Sequence, residues 1–204
     1  MKITLTTVQA VALAKSIAPA ISDNPAHPHL HTVQVVTTGE HVTFTATDAY
    51  RLHRITVPQT DIDPCEPLQL GGVELVGALL GTAKAIGKGS GVIEMHYDYG
   101  TKVVATGAGE SMNVPVLDVA FPTCAAILDP EPETESGAYY DTVFLADIVT
   151  AAGHISGKTK KGSANDVQRV KIMNIHPRKP MHVTTENYVT GMTFYGVLMP
   201  RRAS

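Results

Sequence analysis

An α+β fold built from three copies of one strand–helix–three-strand unit is what this sequence predicts. Three observations carry the prediction. Helical apolar stripes recur three times at matching offsets, strand-like alternation follows each of them, and turn-forming residues separate the strands. The copies run from about Lys2 to Pro58, from about Pro67 to Asp118 and from about Tyr139 to Arg201.

The helices come first. Aligned on Ile17, Ile86 and Ile155, all three carry alanine three residues earlier, at Ala14, Ala83 and Ala152. Six and seven earlier stand Val11 and Ala10, Leu80 and Leu79, Val149 and Ile148; ten earlier stand Thr7, Val76 and Leu145. These offsets trace one face of a 3.6-residue helix, a narrow apolar stripe with a small residue in the middle, suited to close packing on a sheet. Any amphipathic helix shares part of this pattern, so the recurrence weighs more than each stripe alone.

Strands are predicted over residues 32–38, 42–47, 92–97, 102–106, 167–175 and 193–199, where alternation or β-branched residues dominate. Thr38-Gly39-Glu40 and Asp98-Tyr99-Gly100 are the turns between them. Between the second and third copies lies Phe121-Pro122-Thr123-Cys124, a short apolar run, and then an acidic, proline-rich stretch that reads as extended and exposed.

Composition bounds the function. The chain has 204 residues, 44% of them apolar, and a net charge of −3, so it is no basic wrapper of nucleic acid. The charge is uneven, because residues 137–204 hold nine of the 16 basic side chains and four of the 19 acidic ones. A basic third permits local contact with DNA. Two cysteines, Cys65 and Cys124, make no disulfide framework, and a reducing cytoplasm is the expectation. The N-terminal apolar stretch is broken by Thr4, Thr6, Thr7, Gln9 and Lys15, unlike a signal peptide, and no run approaches the ~20 apolar residues of a membrane span.

Two separated motifs say more. Ala46-Thr47-Asp48-Ala49-Tyr50-Arg51-Leu52 and Val197-Leu198-Met199-Pro200-Arg201 resemble segments of the bacterial DNA sliding clamp, the β subunit of DNA polymerase III, and Phe121-Pro122 resembles the start of that family's interdomain connector. The resemblance implies a DNA clamp fold of βαβββ units, with sheets outside and helices lining a central hole. Residues 1–118 would be a complete clamp domain of two units, 119–138 the connector, and 139–204 half a domain. The family's first domain and the first half of its last one have no counterpart. The chain also continues past Met199-Pro200 as Arg201-Arg202-Ala203-Ser204, where the family usually stops; these residues could cover part of the pocket described next.

By that resemblance the chain is no enzyme and takes no cofactor. It would act as a processivity factor, encircling double-stranded DNA without reading its sequence. DNA polymerase and clamp loader would dock clamp-binding peptides in a pocket of Thr47, Tyr50, Arg51 and Leu52 with Val197, Met199 and Pro200. Leucine and methionine walls suit an apolar peptide. Asp48 is expected to fix the turn before Tyr50 instead of touching a ligand. Lys15 and Lys84 lie two residues before the aligned isoleucine, away from the stripe, and with Lys88 would face phosphate. Lys158, Lys160 and Lys161, between Gly157 and Gly162, would form a basic loop. A half domain leaves an open sheet edge and needs a mate, so a homotetramer with two shared domains and twelve units is expected, with a trimer as second choice. A clamp-like protein that diverts replication factors without encircling DNA is the rival.

Other signals are weaker. Residues 152–159 fit a loose phosphate-loop pattern ending in Lys158-Thr159, but the preceding stretch is helical and not a strand. His27, His29 and His31 would share one side of an extended chain, with no carboxylate or cysteine nearby to complete a metal site. Neither cysteine has an activating neighbour in sequence.

Overall fold

In the computed structural model, residues 2–60, 62, 64–87, 91–98, 102–128, 138–156, 170–173 and 178–200 are described. The first strand, β1 (Lys2–Thr6), alternates exposed and buried side chains, with Ile3 and Leu5 inward. Thr6 ends it and starts α1 (Thr7–Ile17). The Gln9 N–H donates to the Thr6 hydroxyl and the Thr6 N–H donates to the Gln9 side chain, a reciprocal capping box. Three strands follow, β2 (Thr32–Thr37), β3 (His41–Thr47) and β4 (Arg51–Pro58). The second unit repeats the order as β5 (Cys65–Gly71), α2 (Gly72–Ile86), β6 (Val92–Asp98), β7 (Lys102–Gly107) and β8 (Glu110–Pro115). After a single helical turn, α3 (Ala125–Leu128), the third unit gives α4 (Thr142–Ser156), β9 (Lys171–Met173), β10 (Met181–Glu186) and β11 (Thr193–Leu198). Its first strand is reduced to Tyr139, a lone bridge residue.

The first two units exchange their opening strands. β1 pairs with β6, Ile3 opposite Met95, and β5 pairs with β2, Leu70 opposite Val33. One sheet therefore runs β1-β6-β7-β8 and the other β5-β2-β3-β4-β11-β10-β9. The outer edges of the exchanged strands are covered in parallel ways. The Gln59 side chain bonds both backbone groups of Thr4 on β1, and the chain after β8 bridges β5, Val116 with Leu70 and the Leu117 N–H to the Gln69 carbonyl.

Sheet periodicity puts Ile55, Met112 and Gly196 at matching places in the three units, each facing the helices and opposite Phe44, Ala105 and Val183. Most of the predicted helix stripe packs inward, with Ala14, Ala83, Ala152, Ile17 and Ile155 buried and Ile86 half-buried, but of the residues six before the aligned isoleucines Val11 and Leu80 are only half-buried and Val149 stands 39% exposed. The stripe is wider than the sequence reading, since Leu13, Thr82 and Ala151 are also buried. Large buried side chains such as Leu13 and Leu79 contribute about 1.5–3 kcal/mol each. α1 lies between α2 and α4, and its Ser16 hydroxyl donates to the Ala151 carbonyl at 2.8 Å.

Candidate partner-binding site

The turn between β3 and β4 is built by its own side chains. The Asp48 carboxylate accepts from the N–H groups of Tyr50 and Arg51, each at 3.0 Å. Thr47 donates its hydroxyl proton to the Arg51 carbonyl at 2.8 Å and accepts from the Ala49 N–H at 3.2 Å. Ala49 sits at φ 75°, in the left-handed region, so these bonds hold a backbone that alanine does not favour. The expected turn role of Asp48 is what the geometry gives. Tyr50 is left projecting, 62% exposed.

The two sequence motifs meet here. β11 pairs antiparallel with β4, Val197 opposite Leu52 and Leu198 opposite Arg51, and the Met199 N–H donates to the Tyr50 carbonyl at 3.0 Å. Arg51 locks the third unit to this turn. Its guanidinium donates to Asp48 and to Asp147 of α4, and lies 4.5 Å from the Phe144 ring centroid. Phe144 in turn lies 5.8 Å from the Tyr50 ring. Phe144 and Asp147 are three apart on one helix face, a spacing visible in the sequence, but nothing there pointed to Arg51 as their mate.

Of the seven expected pocket residues, Tyr50 and Met199 (38%) stand exposed and Pro200 is half-exposed. Thr47, Leu52 and Val197 are buried, and most of the Arg51 side chain is enclosed in its ion pairs. The exposed rim is thus smaller than the expected set, and Leu52 with Val197 forms its floor. By strand alternation that floor shares the sheet face of Arg54 and Tyr195, a directly opposed pair. The end of α3 meets this face, since the Tyr195 hydroxyl donates to the Leu128 carbonyl at 2.8 Å. Burial there pushes the Arg54 guanidinium below its ordinary value, partly offset by Cys124 and Tyr195, and pushes the Cys124 thiol up.

On the opposite face, His53 is fully buried beneath α1. Its Nδ1–H donates to the Ser16 carbonyl at 2.7 Å, and its ring meets Phe194 edge-on at 5.1 Å. Burial, assisted by the nearby Arg51 charge, lowers its pKa to about 4, against the opposing pull of the Ser16 bond and of Asp147. A neutral imidazole therefore glues β4, α1 and β11 together, and no sequence motif marked it.

No protein-family model and no curated protein matches the sequence. Solved structures do. The β subunit of DNA polymerase III from Thermotoga maritima superposes on 100% of this chain with TM-score 0.76 and 11% identity. The DNA polymerase sliding clamp from Pseudomonas aeruginosa gives 0.73 and 13% over 100% of the chain, and the Caulobacter crescentus pol III β gives 0.72 and 16% over 99%. The chain has the DNA sliding-clamp fold. It spans 66% of the length of each of these three clamps.

On this clamp fold Lys15 and Lys84 are exposed, each on the helix face turned from the sheets, and α1 and α2 pack side by side. Lys88, Lys158, Lys160 and Lys161 lie outside the described residues. So do residues 157–159 of the phosphate-loop pattern, whose beginning, residues 152–156, is the C-terminal end of α4 and follows no strand. The histidine cluster lies in a loop that enters β2, with the three side chains not on an extended chain. Pro28–His31 is a 3₁₀ turn, and the His31 Nε2 bonds the Asn24 carbonyl at 2.7 Å. Among the described residues no group of three His, Cys, Asp or Glu side chains is placed to hold a metal, and no helix is long and apolar enough to cross a membrane. Neither Cys65 nor Cys124 is joined in a disulfide.

Proposed function

We propose that this chain is a sliding clamp: a ring that encircles duplex DNA and tethers a DNA polymerase and its loader through short peptides bound beside β4 and β11. The reading is supported chiefly by the meeting of two distant segments, at Tyr50 and Met199, on a clamp fold. The peptide would pack against Tyr50, Met199 and Pro200, above the floor of Leu52 and Val197. Such an apolar rim, half aromatic and half thioether, accepts several related sequences. Lys15 and Lys84 would face phosphate across water, giving salt-sensitive contact without sequence preference. Lys88, Lys158, Lys160 and Lys161 are retained as further DNA contacts on sequence grounds.

Residues 1–118 would then be one whole clamp domain, 119–138 the connector and 139–204 half of another. Support for an unfinished half comes from Ile172. It holds the β9 place that Val35 and Met95 hold in β2 and β6, opposite Val183 as they are opposite Phe44 and Ala105. Val35 and Met95 are fully buried, whereas Ile172 is 42% exposed. In the first two units the exchanged strand of the other unit lies on that edge. A third unit from a second copy would complete the domain about a twofold axis, and four copies would supply a six-domain ring; a trimer is the second choice.

A processivity assay on a primed circle, with polymerase and loader present, tests the function. Longer products with the chain than without it are expected, together with release of the chain when the circle is linearised. Shortened products, with the chain bound to polymerase or loader but never retained on circles, would favour the diverting role.

A further inference from the structure

We infer that the turn α3 is a strap across the floor of the peptide surface, held down by Tyr195, and that a peptide reaches Leu52 and Val197 only when the strap lifts. The inference rests on the docking reading above and adds how that surface is gated.

The floor is a whole row of the sheet. Thr47, Leu52, Val197 and His182 run across β3, β4, β11 and β10, each directly opposite the next, on the face turned from the helices. All four are buried. Outward positions of a sheet need not be: on the other sheet Val92 (47%), Ser111 and Asn113 stand exposed. Two residues along from this row, Arg54 and Tyr195 oppose each other. Cys124, just before α3, lies within electrostatic reach of Arg54, and Leu128, the last residue of α3, accepts the Tyr195 proton. The turn therefore lies on the face beside the floor, with Ile127 and Leu128 half-buried there and outside the core beneath the helices.

The hold is light. Among the described residues the Tyr195–Leu128 bond is the only hydrogen bond joining α3 to the sheet, and the Cys124 thiol donates within the connector itself, to the Pro122 carbonyl. A single helical turn has little stability of its own. His182 sets the latch. Because the Tyr195 proton goes to Leu128, the tyrosine oxygen accepts from His182 Nδ1–H, which fixes the tautomer of that imidazole. His182 is thus a positioning residue for the hydroxyl that holds the strap.

Two readouts on the full chain test this. In a Val197→Cys background, the rate of N-ethylmaleimide addition at that position, located by mass spectrometry, reports how often the floor is uncovered. Without that cysteine, fluorescence anisotropy with a fluorescein-labelled hexapeptide containing two leucines and a phenylalanine reports docking. Tyr195→Phe should raise the labelling rate and the peptide affinity by the same factor, about two- to tenfold, because one net hydrogen bond is lost and both readouts follow one opening equilibrium. His182→Leu should act likewise, and His182→Asn, whose amide replaces the Nδ1–H, should restore the parent values. Unchanged labelling in Tyr195→Phe, or a peptide affinity that falls, overturns the strap and leaves the docking surface standing. Faster labelling with no peptide bound by any variant upholds the strap and removes that surface as the docking site.

Discussion

Arg51 of β4 and Asp147 of α4 are joined by an ion pair although 96 residues separate them in sequence. The bond ties the third unit to the turn that presents Tyr50, so the proposed peptide surface and the packing of α4 depend on one guanidinium. Arg51→Ala removes its partners from Asp48 and Asp147 together. With the Asp147 side chain 39% exposed, solvent screening keeps the loss modest, about 1–2 kcal/mol. Hydrogen exchange should quicken in β11 and α4 and stay unchanged in β6 and β7. Equal quickening throughout would count against a local latch.

Acid should weaken the same junction through His53. Its folded pKa of about 4 lies below the unfolded value of 6.5, so the unfolded chain takes up a proton that the folded chain refuses. Stability is therefore whole above pH 6.5 and is lost as pH falls toward 4, by up to ~3 kcal/mol for this residue. His53→Asn, which keeps a donor near the Ser16 carbonyl, should flatten the fall. Denaturant titrations at pH 7, 5.5 and 4.5 read it directly, and an unchanged slope in the variant would remove His53 as the cause.

Gly196 lets α4 come close to β11. A Cβ there would lie 2.6 Å from Ile148 side-chain atoms and 2.8 Å from Phe194. Gly196→Ala should cost about 1–3 kcal/mol by overpacking, seen as a lowered Tm. The double variant with Ile148→Val should recover part of it; a Gly196→Ala chain as stable as the parent would show that α4 can simply shift.

Met199→Lys places a charge on the exposed rim without burying it. Affinity for a clamp-binding peptide, followed by fluorescence anisotropy, should fall by about tenfold or more, one anchor's worth of binding energy, with Tm unchanged. Leu52→Lys is a different experiment, because Leu52 is buried and a lysine there would unsettle β4 itself. Unaltered peptide affinity in Met199→Lys would remove this surface as the docking site.

Lys15→Ala with Lys84→Ala should shorten the residence of the chain on circular DNA as salt is raised. The slope of log affinity on log salt should shrink by about one for each lysine that touches phosphate. Identical slopes for parent and variant would place the DNA elsewhere.

The helices were the most legible part of the fold, because residues such as Ala14, Ala83 and Ala152 answer to local periodicity alone. The meeting of Tyr50 with Met199 was expected from the two motifs and their resemblance. What the sequence did not disclose is non-local. The exchange of β1 and β5 between units leaves each unit's own pattern unchanged. The Arg51–Asp147 bond joins residues ordinary in their own surroundings. His53 reads as one alternating position of a strand, and only the helix laid across it makes it a buried neutral base. The burial of Leu52 and Val197 likewise depends on what covers the outer face, which strand alternation does not specify.

The exchange of opening strands also governs how the chain can be made. β1 is made before its neighbour β6, which follows roughly ninety residues later, on the order of 5–20 s of translation. Through that interval the N-terminal hydrophobic strand has no native mate, and β2 waits likewise for β5. Neither half of residues 1–118 can close its sheet alone, so a nascent chain stalled between the two would present raw edges to every other copy nearby. Folding of this protein is therefore expected to be late and concerted, and sensitive to anything that slows synthesis between β1 and β6.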